Sequence, residues 1–268
     1  MKSLKLFCIF AVGLIALSIA SCDNIEDSLS SSNTTTFYAV CKFKYSLGTY
    51  YFETQDGFLI YPSSSSISDL SSSSSSTTLS DLIGDVVMLV YAVELDSDTD
   101  YSTSISDVTV YSIISMQDDF ELVEYEGAEN DSIENAPIIS LSESSAVPYF
   151  FDEETLVLPI NHYIESYTHY TTLVYYPNDD EDLTDGVVTL YLRHNTGSDS
   201  SSVTSSSSTT FDYADSSYYY WYLYFNAFDI SPVFDYESPT TINVVYQQST
   251  SLSLSAAVET TYSIDYSY

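Results

Sequence analysis

Four aspartates in one acidic segment have the spacing of a calcium-binding loop. Asp96, Asp98 and Asp100 occupy the first, third and fifth positions of such a loop, and Asp107 falls at the twelfth. Tyr101, however, stands where an EF-hand loop requires glycine, and the flanking residues have the pattern of strands. The segment favours a solvated hairpin, with calcium binding as the alternative, and no cofactor other than calcium is expected.

Three histidines offer ring nitrogens to a metal, but their spacing does not indicate a site. His162 and His169 are seven residues apart, which would place them on opposite faces of a single strand, although the residues between them favour a turn. Zinc needs a third ligand, and the sequence gives no reason for His194 to join the pair. The histidines are therefore expected to be core or partly exposed residues rather than metal ligands.

Arg193 is the sole arginine in the sequence. In a chain with 39 acidic residues its guanidinium is expected to find a carboxylate, and a bidentate pair at a strand end would fix the turn that follows Asn195. A structural role is the preferred interpretation, and a ligand-binding cation is the alternative.

The aromatic run from Ser216 to Phe225 is a candidate ligand platform. In a strand, alternate residues face opposite sides of the sheet. One set looks like core, and the other looks like a tyrosine-lined face that could stack against a sugar. The first set is Tyr219, Trp221, Leu223 and Phe225, and the second is Tyr218, Tyr220, Tyr222 and Tyr224. Tyrosine tolerates half-exposure through its hydroxyl, so the face needs no ligand to account for it.

No arrangement for nucleophilic catalysis is recognisable in the sequence. There is no Gly-x-Ser-x-Gly elbow and no serine or cysteine beside a histidine in a familiar context. Carboxylate pairs carry no information in so acidic a chain, because some pair always lies close together. We expect a protein that is not an enzyme.

The sequence around Cys22 gives the clearest indication of a chemical modification, which is lipidation of the cysteine. Lys2 and Lys5 precede an apolar run from Leu6 to Ala20 that is too short for a settled membrane span, which is typical of an export signal. Residues Ile19 to Cys22 then match the lipobox, in which the cysteine sulfur accepts diacylglycerol before cleavage. Cys22 is therefore predicted to be the lipidated first residue of the mature chain.

The strongly acidic composition limits the classes of partner that the protein can bind. The formal net charge is −34, and the mature chain would keep just Lys42, Lys44 and Arg193 as basic residues. Such a surface repels phosphate backbones, so nucleic acid is excluded and membrane attachment is assigned to the lipid on Cys22. Cys41, the one thiol left unmodified, lies on the apolar side of a predicted strand and is expected to be buried.

The composition predicts an all-β fold, because the chain has 27 Tyr, 13 Phe and few residues that favour helices. Alternating segments predict strands at 37–45, 49–54, 57–61, 86–95, 108–115, 155–160, 168–176, 187–193, 217–225, 241–247 and 260–268. The serine tracts at 63–80 and 198–210 are expected to be insertions that do not order themselves.

The order of these pieces resembles the NigD-like lipoproteins of Gram-negative gut anaerobes. The resemblance rests on the lipobox, YYFETQDGFLIYP from Tyr50, GDVVMLVYAVEL from Gly84, DSIENAPI from Asp131 and GVVTLYLRHNTGSD from Gly186. It implies an N-terminal OB-like β-barrel followed by a C-terminal β-sandwich. With the signal peptide at 1–21 and a polar tether at 22–36, the two domains are expected at 37–130 and 131–268. It implies no catalytic residues.

These observations predict a non-catalytic protein of the outer membrane, lipid-anchored on the periplasmic face or, preferably, the cell surface. A binding or scaffolding role is expected, with a glycan or an envelope protein as partner. The alternatives are a surface glycan-binding lipoprotein and a fimbrillin-like adhesin subunit. Asp27-Ser28-Leu29 and Asp131-Ser132-Ile133 also match a triplet for O-glycosylation, which makes Ser28 and Ser132 candidate modification sites.

Overall fold

Strands make up nearly all of the regular structure in the computed structural model. The structure describes residues 34–72, 78–94, 102–124, 136–143, 146–164, 169–177, 186–196, 200–205, 208–213, 220–249 and 257–268, of which 71–72, 164, 200–205, 208–213 and 220–222 are described by their backbone alone. Within these residues the chain forms two compact units that divide between Met116 and Gln117. No helix among them is long and apolar enough to cross a membrane.

The first unit is a closed five-stranded barrel in the order β1-β2-β3-β5-β4. This order, with β3 parallel to β5 and a helix between β3 and β4, is that of an OB-fold. Its elements are β1 (Thr34–Ser46), β2 (Thr49–Thr54), β3 (Leu59–Pro62), α1 (Ser64–Ser72), a 3-10 helix (Leu79–Leu82), β4 (Val86–Glu94) and β5 (Ser104–Ser115).

Alternate residues of the barrel strands fill its interior. Phe43, Phe52, Ile60 and Leu89 are completely buried there, and the tilted rings of Phe43 and Phe52 have centroids 4.9 Å apart. Cys41 lies in the same core, so its predicted burial is confirmed. Removal of the thiol from water raises its pKa well above the usual range, which makes it a packing residue and not a nucleophile.

The first serine tract is not the disordered insertion that its composition predicted. Residues Ser64–Ser72 form α1, and the Ser63 hydroxyl accepts a hydrogen bond from the Ser66 N–H, as a helix N-cap does. The buried Ser66 hydroxyl in turn accepts a hydrogen bond from the Val110 N–H of β5 at 3.0 Å. Leu70 packs against the barrel core, so α1 is held by its contacts with the barrel rather than by helix propensity.

The second unit is a β-sandwich of a five-stranded and a three-stranded sheet. The orders are β15-β14-β10-β9-β6 and β13-β8-β7, with β11-β12 as a separate hairpin. The strands are β6 (Asp119–Leu122), β7 (Tyr149–Phe150), β8 (Thr155–Ile164), β9 (Tyr170–Tyr175), β10 (Val187–Asn195), β11 (Ser200–Ser205), β12 (Ser208–Tyr213), β13 (Tyr220–Asp229), β14 (Thr241–Gln248) and β15 (Val258–Asp265), with a 3-10 helix at Ser231–Asp235.

Two sequence predictions differ from this unit. The predicted domain boundary was Asp131, whereas the unit starts at Gln117 because β6 pairs with β9 in the five-stranded sheet. The second serine tract, predicted to lack order, contributes β11 and β12, which pair from Ser200↔Tyr213 to Ser205↔Ser208. Pairing satisfies the backbone groups that face between the two strands, and the threonines favour extended structure.

One apolar core lies between the two sheets. Leu156, Leu158 and Ile160 of β8 face it from the three-stranded sheet, and Leu190 and Leu192 of β10 from the five-stranded sheet. The side chains alternate strictly along both strands, as they must in a sandwich. The predicted all-β fold, an OB-like barrel followed by a β-sandwich, is confirmed.

Candidate functional site

Three histidines meet at one end of the sandwich core. His162 continues the inward series of Leu156, Leu158 and Ile160 on β8, and His194 continues that of Leu190 and Leu192 on β10. His169 stands directly before β9, and its ring lies beside both others. The inward positions of three strands thus change from aliphatic residues to imidazoles at this end of the core.

The three rings are in mutual contact. His162 and His194 stack with centroids 4.8 Å apart and an interplanar angle of 10°, and His169 lies 4.8 Å and 5.0 Å from them. His169 Nδ1 and His194 Nε2 are 3.0 Å apart. Each residue offers one ring nitrogen to a group in which all of these atoms lie within 4.8 Å of one another. The burial of the three residues agrees with the prediction that they are core or partly exposed, whereas their meeting in one cluster was not predicted.

Burial keeps the rings of His162 and His194 neutral. His162 is 4% exposed, and burial, followed by the neighbouring His169, lowers its pKa to about 3. Burial, followed by the neighbouring His162 and then His169, likewise lowers the pKa of His194 well below its ordinary value. An imidazole without its proton has a lone pair available, which is the form that binds a metal.

Sequence reasoning missed this cluster because the turn predicted between His162 and His169 does not show which sheets the two flanking strands join. They belong to different sheets, and the side chains meet across the core. A usable signal was present: each of the series Leu156-Leu158-Ile160, Leu190-Leu192 and Leu173-Thr171 reaches a histidine at the next alternate position. That pattern locates imidazoles on inward faces at strand ends, although it cannot show that the ends coincide.

Arg193 faces away from this cluster, on the other side of β10. It is buried, and its Nη2 donates a hydrogen bond to the Tyr176 hydroxyl at 3.0 Å. Its guanidinium also lies over the Tyr176 and Tyr191 rings, 5.9 Å and 5.4 Å from their centroids. These contacts support the structural role, while the predicted carboxylate partner and the ligand-binding role stay predictions.

Replacing Arg193 by Ala is expected to lower the free energy of unfolding by about 2 kcal/mol, because it removes a charged hydrogen bond and two cation-π contacts and leaves a cavity. Thermal or urea unfolding measures the effect. Tyr176→Phe is the matched control, since it removes the hydrogen bond and keeps the ring, and should cost about half as much. An Arg193→Ala protein that melts like the wild type would contradict the structural role.

The candidate tyrosines are described in part. Tyr218 lies outside the described residues, and β13 carries the other three, with Tyr222 opposite His162. Tyr224 is 42% exposed, and its ring lies 5.3 Å from that of His162. Phe228, on the same side of β13 as Tyr224, belongs to the core. Among the described side chains, this side of β13 is thus buried at Phe228 and half-exposed at Tyr224, and the ligand platform stays a prediction.

The other predicted site residues are not brought together by the described structure. Asp107 is exposed in β5 with φ +58°, a conformation that aspartate tolerates, at a register irregularity between β3 and β5. Cys22, Ser28, Asp96, Asp98, Asp100 and Ser132 lie outside the described residues. Lipidation, calcium binding and O-glycosylation therefore stay predictions.

Solved structures share this fold. A candidate lipoprotein from Bacteroides fragilis superposes with a TM-score of 0.61 at 21% identity, over 87% of this chain and 99% of its own. A NigD-like immunity protein from Bacteroides caccae gives a TM-score of 0.52 at 14% identity, over 86% and 96%. A candidate toxin-related protein from Parabacteroides distasonis gives 0.50 at 18%, over 87% and 93%.

No family model and no curated protein matches the chain. The resemblance to NigD-like lipoproteins is confirmed at the level of the fold, since structures described in those terms superpose along most of the chain.

Proposed function

We propose that the protein is a lipid-anchored, non-catalytic binding protein of the bacterial envelope, attached to the outer membrane through Cys22. The lipobox at Ile19 to Cys22, preceded by a charged and then an apolar segment, carries the proposal. The fold that the chain shares with a candidate lipoprotein supports it. The lipid supplies the attachment, because a chain of net charge −34 gains nothing from an anionic membrane surface.

Replacement of Cys22 by Ser tests the anchor. The wild-type protein should incorporate labelled palmitate and sediment with the outer membrane, and the Cys22→Ser protein should do neither. Cys41→Ser is the matched control and should keep both properties, because Cys41 is buried in the barrel. Equal membrane association of wild-type and Cys22→Ser proteins, with no label in either, would refute the lipid anchor.

We place the protein preferentially on the cell surface. Asp23 directly follows the lipidated cysteine, and Glu26 and Asp27 come after the interruption by Asn24 and Ile25, a pattern that resembles surface-export signals of this bacterial group. Protease treatment of intact cells should then remove the protein, with a periplasmic protein as the uncleaved control. A chain that survives on intact cells and is cleaved in lysed cells would place it on the periplasmic face.

A glycan is the first ligand class to test, because Tyr224 presents a half-exposed ring beside buried polar groups. Tyr224→Ala should weaken retention on immobilised polysaccharide, and Tyr236→Ala, which alters another exposed tyrosine, should not. A protein partner is the second class, since one structure with this fold is described as an immunity protein. Retention that neither substitution changes would direct the search to protein partners.

A further inference from the structure

The ring nitrogens of the three histidines are brought together in one cluster, in which His169 Nδ1 and His194 Nε2 are hydrogen-bonded to each other and would exchange that bond for a shared ligand. We propose that His162, His169 and His194 bind a divalent transition-metal cation, with Zn²⁺ as the ion whose ligand preferences they match. The site is distinct from the lipid anchor, and neither proposal depends on the other.

The distances are close to those that zinc requires. Zn–N bonds of 2.0–2.1 Å in a tetrahedron separate the ligand nitrogens by about 3.3 Å. His169 Nδ1 and His194 Nε2 are 3.0 Å apart, and the widest separation in the donor set is 4.8 Å. The third nitrogen must therefore move by about 1.5 Å at most, which rotation of an imidazole can supply.

His162 provides a second, independent observation. It is 4% exposed, and neither its Nδ1 nor its Nε2 has a hydrogen-bond partner within the described part of the chain. Burying such polar atoms unpaired is costly, and native structures rarely do it. The ring stacks on His194 and contacts His169, and one of its nitrogens lies within 4.8 Å of a ring nitrogen of each neighbour. A metal bound there would satisfy one of them.

The donor set selects the class of metal. Imidazole nitrogens suit zinc, copper, nickel and iron, whereas calcium and magnesium take oxygen ligands. The net negative charge of the protein attracts any cation, whereas the imidazole ligands favour transition metals over calcium and magnesium. Three protein ligands leave the fourth position of tetrahedral zinc to water or to a donor group from outside.

Binding would also connect the two sheets. His162 belongs to β8 in the three-stranded sheet, whereas His194 belongs to β10 and His169 precedes β9 in the five-stranded sheet. A ligand that binds the folded state stabilises it in proportion to the logarithm of its free concentration over its dissociation constant. Saturating Zn²⁺ should therefore raise the melting temperature of the metal-free protein by about 5 °C, and Ca²⁺ should not.

The test is a Zn²⁺ titration of the purified mature protein after treatment with a chelator, in competition with a chromophoric zinc indicator. The wild type should bind one equivalent. His169→Ala is the first variant, because this residue is half-buried and lies outside a strand, and His162→Phe is the second. Each should lower the affinity at least about 100-fold, since loss of a mere outer-shell partner already costs 10–100-fold.

Asp96→Asn/Asp98→Asn/Asp100→Asn is the matched control, because it removes the strongest acidic competitor and leaves the histidines intact. It should bind Zn²⁺ as the wild type does. Titration with Co²⁺ gives a second readout, since the visible spectrum reports low-coordinate nitrogen ligation. Circular dichroism of each metal-free variant verifies folding. Wild-type affinity in a folded His169→Ala protein, or loss of binding in the asparagine variant alone, would overturn the proposal.

Discussion

Acidifying the metal-free protein from pH 6.5 to about pH 4 should lower its free energy of unfolding by about 3 kcal/mol through His162 alone. The pKa of His162 is about 3 in the folded protein and close to 6.5 in the unfolded chain. Between pH 3 and pH 6.5, His162 is mostly protonated in the unfolded chain and mostly neutral in the folded protein. Stability is therefore complete above pH 6.5 and falls as the pH decreases toward 3. His194, whose pKa is also lowered, acts in the same direction.

The measurement is urea unfolding from pH 7.5 to pH 4 in the presence of a chelator. The groups that face His162 are His169, His194 and the Tyr224 ring. The carboxylates of the chain titrate in the same range, so the wild type must be compared with His162→Phe, in which they are unchanged. The two stability curves should diverge by about 3 kcal/mol as the pH falls. Parallel curves would contradict a neutral, buried His162.

Alternation of side chains made the strands predictable, because a sandwich buries one side of each strand. Predicted segments such as 49–54, 86–95 and 241–247 agree with β2, β4 and β14 to within a residue or so. The same alternation identifies His162 and His194 as occupants of inward positions. It does not show where those positions lie relative to one another, because that depends on how the two sheets pack.

The predictions for the serine tracts were wrong for a related reason. Nothing in a run of serines distinguishes the segment of α1 from a disordered linker, since its hydrophobic content is low. Its order comes from Ser66, whose hydroxyl bonds to β5, and from Leu70, which packs on the barrel. The Ser66 hydrogen bonds join residues more than forty positions apart, and local composition holds no information about such contacts.

Asp118 was not singled out in the sequence, yet it joins the two sheets of the sandwich. Its Oδ2 accepts hydrogen bonds from the Thr171 N–H at 3.1 Å and from the Asn226 side-chain amide at 2.8 Å, and the Thr171 hydroxyl donates to it as well. Thr171 lies on β9 of the five-stranded sheet, and Asn226 on β13 of the three-stranded sheet. One carboxylate oxygen thus satisfies donors from both sheets, and Thr171 is buried.

Replacing Asp118 by Ala is expected to lower the free energy of unfolding by about 3 kcal/mol, because it leaves the buried Thr171 donors and the Asn226 amide without their shared acceptor. Asp118→Asn should lose less, since its carbonyl oxygen can still accept from Thr171 and Asn226, while its NH₂ takes the place of Oδ1, which accepts from the Asp119 N–H. Asp119→Ala is the matched control: it removes the same charge from the next, exposed residue and should change stability by less than about 0.5 kcal/mol. Urea unfolding of the three variants decides the matter. Equal losses for Asp118→Ala and Asp119→Ala would mean that net charge, and not the bridge between the sheets, sets the effect.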